Sequence, residues 1–337
     1  MKKIIIPLIL STFFLHPSFG QSNNIKELVN EGVKFHDEGN YQEAISTYKK
    51  ALEIDANSEL VNYEISMSYF ANNEYENALE FSEKGLRKDS RYYQHSAVIY
   101  GSCLDELGNT KKAIKFYKNT IKDFPTDYLL RYNLAVSYSK IGQNDDAVKY
   151  LIDGILNNNL HPSSHYMLGQ IMYQEGHRVK SILPLYNFLL LEPQSNRSEE
   201  ALNLLLNQLN EGVSKKSDKE IDVTIPMVTK KSDGFGAVEM MISLTSASRY
   251  TEENKEKSDI ELFYESSESI FNILGELKKE QQGLWWDYYV PLLSGISKNE
   301  LAKPFCYYIS LTKKPANTWL DQNSEEVDKL FAYLNGE

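Results

Sequence analysis

Cysteine is almost missing: Cys103 and Cys306 are the only two in a chain of 337 residues. Two thiols make no disulfide framework, so the fold must rest on a packed core; buried free thiols are the leading reading and a Cys103–Cys306 disulfide the alternative. Histidine is scarce and absent after His177. His161 and His165 have metal-ligand spacing, but Pro162 starts a helix between them and leaves His161 in a loop, so no metal is expected. Long hydrophobic runs are lacking too. The longest, Ile4–Phe14, is broken by Pro7 and falls short of the roughly 17–25 residues that cross a bilayer. Positive charge is the minority: 36 Lys and Arg against 47 Asp and Glu, net −11. That balance argues against nucleic acid and against an anionic membrane surface as partners.

Catalytic patterns are also wanting. "STYK" (46–49) and "SYSK" (137–140) match a serine–lysine nucleophile pattern, but no S-D-N or K-T-G companion follows. "GFGAVE" (234–239) lacks the third glycine of a dinucleotide loop. Asp287, among aromatics, has no obvious second carboxylate for glycoside hydrolysis. The expectation is a protein that is not an enzyme and has no cofactor.

What is present begins with the first twenty residues. Lys2 and Lys3 form a basic start, Ile4–Phe14 an apolar stretch of signal-peptide length, and Ser18-Phe19-Gly20 a small-residue cleavage site before Gln21. No cysteine follows the stretch to carry a lipid. The chain is expected to be exported, periplasmic or secreted, with residues 1–20 removed.

A repeat of about 34 residues occupies the next part. Ala44 and Ala51 recur as Ala78 and Gly85, Ala113 and Thr120, Ala147 and Gly154; upstream, Gly32 is matched by Ser66, Gly101, Ala135 and Gly169. Turn signals fall between them at Gly39-Asn40, Asn72-Asn73, Gly108-Asn109, Gly142-Gln143 and Gly176-His177. Each half-unit has apolar residues at helical spacing, and the midpoint Gly or Asn supplies a left-handed residue to end the first helix. One such hairpin cannot bury its own apolar face, so neighbours must stack.

These offsets resemble the tetratricopeptide repeat, through Gly32, Phe35, Ala44, Tyr48 and Ala51 in the first unit and Leu134, Ala135, Tyr138 and Ala147 in the fourth. The resemblance implies an all-α solenoid over 21–210. Its repeats lie near 25–58, 59–93, 94–127, 128–161 and 162–195, with a capping helix at 196–210. The pattern is broken in the fifth unit, where Ser181 and Phe188 replace small residues. In this family the first helices of successive units line a concave surface that binds peptides or helices, so the expected partner is another protein or peptide. The face so marked carries Tyr63, Met67, Phe70, Tyr132, Val136, Tyr166, Gln170 and Tyr173. The family's clamp for carboxylate termini is absent: Val29, Val33 and Glu64 stand in its places, and only Asn133 is kept in a later window. The face is aromatic and aliphatic, which suits an apolar or mixed peptide. Alternatively, the chain's own C-terminal part fills it.

Residues 211–233 read as a linker and extended arm, with Ile221, Val223 and Ile225 alternating before Pro226. Residues 234–337 read as a small bundle of about five helices. There "GLWWDYYVPLL" (283–293) predicts a helix apolar on most sides, with a polar stripe at Asp287, Pro291, Ser294 and Lys298 and a kink at Pro291. Core packing is the leading reading of its tryptophans, with groove or inter-domain contact and a stacked sugar as alternatives. The competing functional reading is an envelope enzyme with its active site in 234–337, recruited to substrate by the repeats.

Overall fold

The computed structural model describes residues 18–217, 220–224, 234–279 and 281–336. The apolar stretch and basic start of the N-terminus lie outside them, as do Ile225, Pro226 and the rest of the arm to residue 233. The described residues contain seventeen α-helices and one β-hairpin. The chain divides into two compact units, one ending at Pro125 and the other starting at Thr126.

The first unit is three helical hairpins: α1 (Ser18–Asp37) with α2 (Tyr41–Ile54), α3 (Glu59–Ala71) with α4 (Tyr75–Lys84), and α5 (Tyr93–Glu106) with α6 (Thr110–Asp123). The second begins with two more, α7 (Tyr128–Lys140) with α8 (Asn144–Asn157) and α9 (Pro162–Gln174) with α10 (Arg178–Leu191). All five hairpins turn the same way. At the first, Gly39 has φ +79°, its N–H donates to the carbonyl of His36, and the N–H of Asn40 donates to that of Phe35. The same pair of bonds recurs around Asn73, Gly108, Gly142 and Gly176, all at positive φ. This is the Schellman ending, which satisfies orphan carbonyls and needs one left-handed residue. Asn73 is the non-glycine that manages it.

The small residues have a visible cause. At Gly101 any Cβ would collide with the ring of Tyr117, whose hydroxyl donates to the carbonyl of Val98 at 3.0 Å across the hairpin. Ala44, Ala78, Ala113 and Ala147 are fully buried where paired helices approach.

After α11 (Asn196–Asn210) the chain forms β1 (Val213–Ser217) and β2 (Glu220–Val223), antiparallel with Val213 opposite Val223 and Lys215 opposite Ile221. The stretch expected as a loose linker therefore contains a paired strand. Six helices follow: α12 (Gly236–Ser248), α13 (Asp259–Leu277), α14 (Val290–Lys298), α15 (Ala302–Tyr308), α16 (Lys314–Gln322) and α17 (Ser324–Asn335).

The sequence places a domain boundary at 211–233, yet residues 126–337 form one compact unit. The reason is α10. From Arg178 to Leu189 only Lys180 escapes full burial, so this helix is covered on all sides. Tyr186 lies among Phe263, Phe271 and Phe305, and its hydroxyl meets Ser267 at 2.7 Å. The fifth repeat thus serves as core for the C-terminal helices.

Candidate functional site: the faces of the first helices

The candidate groove residues fall in both units. In the first, Tyr63, Met67 and Phe70 share one face of α3 and are half-buried. Tyr63 stacks on Tyr92 at 5.6 Å and meets His95 edge-on, while Phe70 meets Tyr75 edge-on at 5.4 Å. All three also pack against the core of Val61, Ile65 and Tyr69. These candidate groove residues therefore also support the core, because a helix only about 10 Å across shares its side faces between core and solvent. Glu64 is half-buried, and burial together with Asp37 raises its pKa.

In the second unit the rings gather where α7, α9 and α11 begin. His161, the residue before α9, lies between Tyr128 and Tyr132, each 5.0 Å away, the latter edge-on. Tyr166 stacks on Phe188 at 4.7 Å and donates its hydroxyl to Glu200 at 3.1 Å. Phe188, the large residue that breaks the repeat pattern, thus supports a groove ring. Arg197 is the local cation. It sits 5.9 Å from the Tyr166 ring and 5.5 Å from Phe188, donates to Ser163 at 3.0 Å, and pairs with Glu192. Burial and then Arg197 lower the pKa of His161, keeping the imidazole neutral; burial raises that of Tyr132, Arg197 acting the other way. Val136 and Gln170 are half-buried and Tyr173 is 46% exposed. Asn133, also half-buried, donates to the carbonyl of Leu129 at 2.9 Å. His161, Ser163 and Arg197 were not among the groove candidates; their signal is position, at or beside the starts of α9 and α11.

His165 belongs elsewhere. It is fully buried, with Nε2 2.9 Å from the carbonyl of Asn159 and Nδ1 2.7 Å from the hydroxyl of Tyr289. A carbonyl only accepts, so Nε2 carries the proton and Nδ1 accepts from Tyr289. Both ring nitrogens are engaged, and no cluster of three potential metal ligands occurs among the described residues.

The WWDYY stretch is the counterpart of these contacts. The segment Trp285–Tyr289 is a wide turn in which the N–H of Val290 reaches back five residues to the carbonyl of Trp285, just before Pro291. Trp286 and Tyr289 are buried, Trp286 stacked on Phe235 at 4.4 Å. Trp285 and Tyr288 reach α10: the indole N–H donates to the carbonyl of Lys180 at 3.0 Å, and the Tyr288 hydroxyl to Asn187 at 3.1 Å. Lys180 is four residues before Pro184, which has no N–H to offer, so the indole satisfies an acceptor that proline left open. Core and repeat contact are therefore both realised. The anchors are His165, Lys180 and Asn187, not the candidate groove residues.

The Tetratricopeptide repeat family profile matches residues 35–95 and 106–171. Within residues 35–171 the chain carries tetratricopeptide repeats. No curated protein matches it. Similar solved structures include pilF of Pseudomonas aeruginosa, 21% identical over 56% of this chain and 84% of that one, with a TM-score of 0.48. A thermophilic tetratricopeptide protein of Thermus thermophilus is 15% identical over 54% and 99%, with a TM-score of 0.49. MamA from Desulfovibrio magneticus is 16% identical over 51% and 97%, with a TM-score of 0.42. Tetratricopeptide repeats mediate protein–protein interaction.

Proposed function

We infer that this tetratricopeptide-repeat protein is an exported, non-enzymatic adaptor of the cell envelope that holds a peptide or helix against the first helices of its repeats. One observation carries the reading: the half-buried ring cluster of Tyr128, Tyr132, His161 and Tyr166. Packing fixes these rings, yet part of each remains open, which lowers the ordering cost of binding. Aromatic anchors of this kind dominate interface energies, and Arg197 beside them adds a fixed guanidinium that could read a backbone carbonyl or an acidic side chain. Export rests on Lys2, Lys3, the apolar stretch Ile4–Phe14 and Ser18-Phe19-Gly20. Among the described residues no helix is long and apolar enough to cross a membrane.

The competing enzyme reading looks to a cleft of about 770 Å³ between α11, the start of α13 and residues 310–315, lined by Leu202, Leu206, Ile260, Phe263 and Pro315. Its charged side chains already have partners: Lys257 with Glu265, Asp259 with Arg249, and Lys313 with Glu199 and Asn203. The buried Glu239 is likewise held by Arg178. That leaves the adaptor favoured. Capture of envelope proteins by wild type and by Tyr132→Ala/Tyr166→Ala tests it. Loss of a specific partner with retained folding is expected, and unchanged capture refutes the groove. Mass spectrometry of the native protein should find Gln21 first; a retained Met1 refutes export with cleavage.

A further inference from the structure

The second helices of repeats two and three carry opposite charge on the same face. On α4, Glu76, Glu80 and Glu83 are exposed at i, i+4 and i+7, one stripe roughly 10 Å long. On α6, at the equivalent repeat places 35 residues later, stand Lys111, Lys115 and Lys118, all exposed. Glu80 is bridged by Lys84 on its own helix at 3.1 Å. For the other five, the described residues provide no ion pair or side-chain hydrogen bond. Arg87, three residues beyond the end of α4, is taken up by Asp89 and Glu59.

The lysine stripe is not a helix-building convenience. α6 has no acidic residue in its first turn, and Lys111 and Lys112 lie there instead, against the positive end of the helix dipole. In a chain of net charge −11, this row of cations is a local inversion. It faces away from the buried side of α6, which is Ala113, Tyr117 and Thr120.

We propose that the α4–α6 face is the contact of a two-fold homodimer, with a second copy of this chain as the occupant. Both helices close successive hairpins and so run the same way. A two-fold axis lying in the contact plane, parallel to the helices and between them, sets α4 of one copy on α6 of the other in parallel. Glu76, Glu80 and Glu83 then meet Lys111, Lys115 and Lys118 of the second copy in register. The symmetry repeats the three pairs, as an isologous contact requires. The offset of one repeat between the two stripes is what makes the face complementary to itself. Because the pairs are exposed, the dimer is salt-sensitive: screening shortens from about 30 Å at 0.01 M salt to about 3 Å at 1 M.

Sedimentation of the full mature chain tests this. Wild type is expected to be dimeric near 0.01 M salt and monomeric near 1 M. Lys111→Glu/Lys115→Glu/Lys118→Glu and Glu76→Lys/Glu80→Lys/Glu83→Lys should each be monomeric alone, because each pairs like with like. Mixed one to one, they should form a heterodimer, each supplying the stripe the other lacks; that recovery also shows both variants fold. Wild type that stays monomeric at low salt, or binds vesicles of anionic lipid as a monomer, overturns the proposal. So do reversed variants that dimerise on their own or fail to pair in the mixture.

Discussion

Acid should loosen the second unit through His165, by an amount the structure allows to be worked out. The native imidazole is fully buried, gives its proton to Asn159 and accepts from Tyr289; His161 and Tyr288 are the other titratable groups against it. Burial, with a smaller push from His161, lowers its pKa to about 4, the Asn159 bond working the other way. The unfolded value is about 6.5. The native state therefore binds fewer protons than the unfolded chain between those values, so stability is intact above about 6.5 and is lost as pH falls towards about 4. At roughly 1.4 kcal/mol per unit, the full loss is about 3 kcal/mol. The structural event is a reversal of the Tyr289 bond: a protonated Nδ1 can only donate, so the hydroxyl must turn to accept, and the buried ring then carries a charge. All three tryptophans, Trp285, Trp286 and Trp319, lie in the second unit, so their fluorescence reports its urea unfolding. Wild type should lose about 2–3 kcal/mol more than His165→Gln between neutral pH and about pH 4.5. Carboxylate protonation is common to both proteins and cancels in the difference. Equal losses in the two proteins would refute a neutral, buried His165.

Ala113→Trp should overpack the α5–α6 hairpin, where Ala113 is fully buried, and lower stability by about 1–3 kcal/mol in thermal melts; an unchanged Tm would contradict the repeat register. Trp285→Phe should cost about 1–3 kcal/mol by leaving the Lys180 carbonyl without its indole donor. Adding Pro184→Ala supplies a backbone N–H to that carbonyl and should recover part of the loss, which a double-mutant cycle would reveal. Arg178→Met should cost about 3–5 kcal/mol, since it strands buried Glu239 and removes the donor to the carbonyls of Gln208 and Glu211. Arg178→Met/Glu239→Leu should be milder, and chemical denaturation showing equal costs would count against a buried pair.

Stripping the rings separates two roles for the groove residues. Tyr63 packs against the first unit's core, so Tyr63→Ala should lower stability as well as capture. Tyr173, 46% exposed, should affect capture alone; comparing melts and capture of the two single variants decides it.

The sequence by itself determined the repeating part. Small residues near Ala44 and Gly101, turns at Gly39 and Gly108, and apolar spacing within each helix are local demands, satisfied within one hairpin or its neighbour. A period of about 34 residues therefore exposes them. It also picked out one face of α3, α7 and α9 as the candidate groove, because position in the repeat sets direction around a helix. What only the tertiary structure decided are pairings across long separations. His165 meets Tyr289 at 124 residues' distance, Trp285 answers Pro184's missing N–H through Lys180, and Arg178 closes on Glu239. Each partner alone has an ordinary local meaning: a histidine within a helix, a core tryptophan, a surface arginine. Sequence pattern carries direction and period but not which distant surface arrives. That is why α10 read as the end of an array, when it is the core on which α12, α13, α15 and Trp285–Tyr289 pack.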